Sequence, residues 1–147
     1  MLGGKFWATL FSEILETPMP LVKIHILKGR SPSELDVLLD TIHDVVVESF
    51  RVPPRDRYQI LQEHQASHVR ALDTGLDITR SERFLLLEIT SRPRSRDAKV
   101  AFYSSLTRAL QTKCNVAPSD VMVCLNINSD EDWSFGMGSA QFLTGEL

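Results

Sequence analysis

The chain has 147 residues, 43% hydrophobic and 24% charged, ordinary proportions for one globular domain with a buried core. A net charge of −3 gives no basic footprint for nucleic acid, and no apolar run nears the ~18 residues that span a membrane. We expect a cytoplasmic protein with neither partner, its Cys114 and Cys124 being reduced, buried thiols without CxxC or metal-type spacing.

Residues 1–19 read as an N-terminal extension to a single domain over residues 20–147. The short apolar stretch Phe6–Phe11 is followed by Glu13 and Glu16, and Lys5 is the lone basic residue. Neither a secretory signal nor a mitochondrial presequence fits that pattern. A short amphipathic helix or an upstream-start segment does. Met19-Pro20 then stands directly before an alternating strand pattern over residues 21–27. Proline at the first position of a strand costs little, because its missing N–H is not needed there. A chain beginning at Met19 and then trimmed would instead leave Pro20 as a free secondary amine. The residues alone leave both readings open.

Ser31-Pro32-Ser33-Glu34 combines an N-cap serine, a first-turn proline and a glutamate able to close a capping box. The helical stripe Leu35, Leu38, Leu39, Ile42, Val45, Val46 and Phe50 follows. Residues 58–62 form a short mixed strand and residues 84–90 an apolar one. A second stripe, Phe102, Tyr103, Leu106, Ala109 and Leu110, precedes a β-branched strand over residues 121–127. Two halves, about 20–64 and 84–128, are related. Arg30-Ser31 recurs as Arg94-Ser95, and Val52-Pro53-Pro54-Arg55-Asp56 as Val116-Ala117-Pro118-Ser119-Asp120, both shifted by 64 positions.

Each half therefore reads as β-α-β, whose crossover helix makes a parallel strand pair. The predicted fold is α/β (α+β): a four-stranded sheet with two helices on one face. Its other face is left open for other subunits. Residues 129–147 set Trp133, Phe135, Phe142 and Leu143 around glycines, which suggests a terminal hairpin or flap.

Three clusters could carry chemistry. In Ile89-Thr90-Ser91-Arg92-Pro93-Arg94-Ser95, two arginines straddle a proline where a strand gives way to a helix. They can grip one carboxylate, helped by the helix N-terminus, or form a solvated basic turn; Arg96 follows them closely. Asp56 is a turn or cap residue, or an acid, and Asp120 at the equivalent place favours a structural role for the pair. His64 and His68 have H-x₃-H spacing but no third ligand, and Gly136-Met137-Gly138 does not continue as a dinucleotide loop. No metal and no cofactor are expected.

Taken together, Met19-Pro20, the paired β-α-β units, "VPPRDRYQ", "SRPRS" and "NSDEDWSFGMGSAQFLTGEL" resemble the tautomerase superfamily, and within it the malonate semialdehyde decarboxylase group. The resemblance runs from Pro20 to Leu147. It implies a homotrimer that decarboxylates a small 3-oxo acid without a cofactor. It further implies that Pro20 is a catalytic amino-terminal proline and Asp56 its acidic partner. Arg92 and Arg94 would bind the carboxylate, with Trp133, Phe135, Phe142 and Leu147 as an apolar wall. The same proline serves keto–enol tautomerases and hydratases of small unsaturated acids. As written, Pro20 is held in an amide bond to Met19, and a chain that stays so would be a non-catalytic trimeric binding protein.

Overall fold

Alternation decides the sheet. In a computed structural model that describes residues 19–147, strand β1 (Pro20–Leu27) turns Val22, Ile24 and Ile26 to one side, each at most 3% exposed. Strand β3 (Leu85–Ser91) does the same with Leu85, Leu87 and Ile89. Helices α1 (Pro32–Phe50) and α2 (Arg96–Cys114) lie together over that side. Leu38, Ile42 and Val46 of α1 and Phe102, Leu106 and Leu110 of α2 complete the core, and the Phe50 and Phe102 rings meet at 4.7 Å. Full burial of each such side chain contributes roughly 1.5–3 kcal/mol. The strands β2 (Tyr58–His64) and β4 (Val121–Ile127) flank the sheet, whose order is β2-β1-β3-β4.

Both predicted parallel pairs form, β1 with β2 and β3 with β4, while the central β1–β3 pair is antiparallel, Pro20 lying opposite Ser91. Antiparallel pairing of the two repeats relates them by a pseudo-twofold. It brings the start of each inner strand beside the turn that leaves the other. Pro20 thus meets the arginine turn although the two are far apart in sequence. The helix ends obey the same symmetry. Ser31 and Glu34 close the predicted capping box, with Glu34 N–H to Ser31 Oγ at 3.2 Å and Ser31 N–H to Glu34 Oε2 at 2.7 Å. Arg51 and Asn115, 64 positions apart, end their helices in left-handed backbone at φ 53° and 52°.

Some expectations are corrected. Tyr103 is 38% exposed, because Phe102 takes the core-facing position of that turn. Cys114 is half-buried and Cys124 exposed, since the alternation of β4 sends Val121, Val123 and Leu125 towards the helices and Cys124 to the open face. Residues 129–147 form no hairpin strand. They fold as a 3₁₀ turn (Asp130–Asp132) and a single helical turn, α3 (Gln141–Thr144), joined through Gly136 and Gly138 at φ 125° and 67°.

The sheet face away from the helices is open in the protomer and exposes Tyr58, Ile60 and Met122. It also carries a polar line. His25 Nε2 donates to Glu88 Oε2 at 2.8 Å, and His25 Nδ1 lies 2.9 Å from His64 Nε2. Among the described residues no group of three or more potential metal ligands gathers, and no helix is long and apolar enough to cross a membrane. The readings of the segment before Met19 fall outside the described residues.

Candidate active site

The turn leaving β3 places two guanidiniums in different surroundings. Arg94 reaches inward. Its Nη1 donates to Phe50 O at 3.0 Å, its Nη2 to Met19 O at 2.6 Å and its Nε to Ser91 Oγ at 3.0 Å. Its cation lies 5.2 Å from the centre of the Phe50 ring. Burial first, then the neighbouring Arg92 cation, pull the Arg94 guanidinium below its ordinary value, and Asp56 works against both. Ser91 is fully buried and donates to Arg92 O at 2.9 Å, so its hydroxyl both receives Arg94 and fixes the turn.

Arg92 faces the terminal segment. Its Nε donates to Asp130 Oδ1 at 2.6 Å and its guanidinium lies 4.4 Å from the Phe142 ring centre. Arg92, Pro93, Ser129, Asp130, Glu131 and Leu143 line a cavity of about 570 Å³. Pro20 and Asp56 instead line a small cavity of about 10 Å³ with His43, Tyr58 and Gln59.

Between these groups sits Met19, 2% exposed and at φ 75°. A bulky residue in left-handed backbone costs on the order of 1–3 kcal/mol, so its surroundings must hold it there. They do. Its N–H donates to Asp56 Oδ2 at 2.6 Å and its carbonyl accepts from Arg94. Asp56 is itself fixed by the Val52–Pro54 turn, whose Pro53 carbonyl accepts its N–H at 2.9 Å, while His43 Nε2 donates to Pro54 O at 2.8 Å. One anion and one cation thus converge on Met19, the residue whose carbonyl carbon is bonded to the Pro20 nitrogen. That nitrogen, delocalised into its amide, is neither a base nor a nucleophile in this chain.

The aromatic wall is continuous. Trp133 stacks on Phe135 at 5.8 Å, Phe135 meets Phe142 edge-on at 5.3 Å, and Tyr58 approaches Phe135 at 6.0 Å. Trp133 is oriented by Nε1 donating to Asn128 Oδ1 at 2.7 Å. The wall therefore joins the Pro20 cavity, through Tyr58, to the Arg92 cavity, through Phe142. Leu147, expected in the same wall, is 61% exposed.

Of the residues singled out from sequence, the structure gathers Pro20, Asp56 and Arg94 around Met19, and Arg92, Phe142, Phe135 and Trp133 alongside. It adds His43, Tyr58, Ser91 and Asp130. Ser91 and Tyr58 were within the quoted motifs and needed only their strand parity. Asp130 also lay within a quoted motif, as one of three consecutive acids, but nothing in the sequence paired it with Arg92.

Comparisons with known proteins bear on this arrangement. Family models described as tautomerase enzyme match residues 56–136 and residues 20–76. YrdN, a probable tautomerase of Bacillus subtilis, is 45% identical over 129 residues, which are 88% of this chain and 100% of the relative. The crystal structure of a malonate semialdehyde decarboxylase superposes with a TM-score of 0.84 at 46% identity, covering 86% of this chain and 98% of that one. A second malonate semialdehyde decarboxylase, solved inhibited by 3-bromopropiolate, gives 0.83 at 37% identity, covering 86% and 97%. The two family-model matches together begin at the proline that opens β1 and run through Asp56, both arginines and into the aromatic segment; the chain belongs to the tautomerase family of enzymes.

Proposed function

We propose that the protein decarboxylates a small 3-oxo acid of the malonate semialdehyde type, using Pro20 as a free amino-terminal amine. The observation that carries this reading is the convergence of Asp56 and Arg94 on Met19, the residue preceding Pro20, with Arg92 and the aromatic wall beside it. A protonated secondary amine there would hydrogen-bond the substrate carbonyl while the arginines hold the carboxylate. The bond between the carboxylate carbon and its neighbour breaks, carbon dioxide leaves, and the electron pair moves into the carbonyl as an enol protonated from the amine. Protonation at carbon, with the enol hydroxyl proton returning to the amine, gives the aldehyde. Holding the breaking bond perpendicular to the carbonyl plane is positioning catalysis, and the apolar wall favours the loss of charge. Two unpaired cysteines agree with a cytoplasmic setting.

A keto–enol tautomerase or hydratase reading is favoured by the description of YrdN as a probable tautomerase and asks the same amine for a different proton transfer. The Met19–Pro20 amide favours a third, an inert binding protein. The open sheet face, with Tyr58, Ile60 and Met122 exposed, supports assembly as a homotrimer.

The test compares the full chain with a form begun at Met19, with intact masses recorded and malonate semialdehyde as substrate. We expect sedimentation as a trimer, turnover only where the mass shows Pro20 first, and at least an approximately hundredfold loss on Pro20→Ala. Equal turnover by a chain still carrying its extension would overturn the role of Pro20. Turnover of enols but not of malonate semialdehyde would select the tautomerase reading.

A further inference from the structure

We propose that Asp130 is a positioning residue for Arg92, holding the Nε edge of its guanidinium so that the two Nη groups are presented end-on to a monocarboxylate. The inference rests on the reading of Arg92 as a carboxylate ligand. A guanidinium offers a carboxylate two bidentate edges, Nε with one Nη or the Nη pair. Asp130 occupies the first, at 2.6 Å from Nε, and Phe142 covers the plane at 4.4 Å. What remains is the Nη edge. The Arg92 side chain is 20% exposed and that of Asp130 44%, and both line the 570 Å³ cavity, so a small acid can reach the pair.

The fold itself does not call for this carboxylate. The 3₁₀ turn that holds Asp130 is closed by Ser129 and Asp132, whose Oδ2 accepts the Ser129 N–H at 2.8 Å. The pseudo-symmetric partner of that turn, Ala66–His68, forms with alanine at the corresponding position. There the counterpart of Arg92 is Lys28, which has no Nε fork to align. The acid therefore appears only at the end of the sheet that bears Pro20. Its charge also sets the ligand class. Among the described residues the cavity's single cation, Arg92, stands beside two acids, Asp130 and Glu131, so a dianion is disfavoured relative to a monoanion.

The test uses 3-hydroxypropanoate, a monoanion of the substrate's length with no carbonyl to react. Its affinity is measured calorimetrically for the full chain and for the form begun at Met19. Arg92 Nε–H is followed by NMR in both. Asp130→Ala should lose the slowly exchanging Nε–H signal and weaken binding about tenfold. Asp130→Asn, which keeps an acceptor, should stay within about threefold of the parent. In an Arg92→Lys background Asp130→Ala should have no further effect. An unchanged Nε–H signal or unchanged affinity in Asp130→Ala, a tenfold loss in Asp130→Asn, or no binding by the parent would each overturn the proposal. Parent protein that binds 3-hydroxypropanoate with this pattern but does not decarboxylate would sink the decarboxylase reading and leave the role of Asp130 standing.

Discussion

The two ends of the central strand pair are built alike and diverge only in a few side chains. At one end Arg94 donates to the carbonyl of Met19, the residue before Pro20, at 2.6 Å. At the other, Arg30, its counterpart 64 positions earlier, donates to Arg83 O, the residue before Phe84, at 3.0 Å. Asp56 accepts the Met19 N–H, and its counterpart Asp120 accepts the Ser81 N–H at 2.7 Å. An arginine and an aspartate pinning the entry of an inner strand are thus properties of the repeat. The ends differ in what is not repeated. Pro20 is matched by the buried Phe84, Arg92 by Lys28, Pro93 by Gly29, Asp130 by Ala66 and Trp133 by Val69.

The sharpest way to break that comparison is to cut the same contact at both ends. Arg94→Ala should cost on the order of 2–4 kcal/mol of transition-state stabilisation, measured as kcat/KM of the form begun at Pro20, and lysine should rescue it poorly. Arg30→Ala should leave kcat/KM near the parent value and show its effect in the melting temperature. If the two alanine variants lose activity equally, the ends are not functionally distinct.

The aspartates should split the same way. Asp120 is 2% exposed and accepts from both the backbone and the hydroxyl of Ser81. Its removal strands those donors at a cost of about 1–3 kcal/mol, read from urea unfolding. In the form begun at Pro20, Asp56→Ala removes the acid beside the proline and should lower kcat far more than stability. An Asp120→Ala variant as stable as its parent would show that the loop before β3 does not need its anchor.

Much of this architecture was legible because it rests on short-range rules. Period-2 and period-3.6 patterns gave the strands and helices, the 64-position repeat gave the parallel pairs, and Ser31-Pro32-Ser33-Glu34 gave its capping box. The antiparallel centre was not legible, because strand pairing between repeats is decided by long-range packing. For the same reason the terminal segment, read as a hairpin or flap, has no strand and is a 3₁₀ turn and one helical turn closing on Arg92. The candidate site could be proposed as residue types, Pro20, Asp56, Arg92 and Arg94, but not as geometry. Asp130 pairs with an arginine 38 positions away, and nothing local marks it among three acids.

The smallest expected effect lies in the helix starts, Ser31-Pro32-Ser33-Glu34 and Ser95-Arg96-Asp97-Ala98, which share the N-cap serine but not the box partner. Ser31 begins α1 with Glu34 as its box partner, whereas Ser95 begins α2 with Ala98 in that place, its Oγ accepting Ala98 N–H at 3.1 Å. The Ser31 N–H holds the Glu34 carboxyl below its ordinary value. A group whose folded value is depressed stabilises above its unfolded value and loses that contribution as pH falls through the folded one. Glu34→Gln should therefore lower the melting temperature slightly at neutral pH, with the difference closing under acid. Ala98→Glu should do the reverse at the other end, adding on the order of 0.5 kcal/mol of stability at neutral pH by completing the box. It also sets a carboxylate in the turn that directly follows Arg94. The new charge competes with the substrate carboxylate for the arginine pair, so KM should rise a few-fold while kcat changes little. A stabilised Ala98→Glu variant with an unaltered KM would mean that the field of the arginine turn does not extend into the first turn of α2.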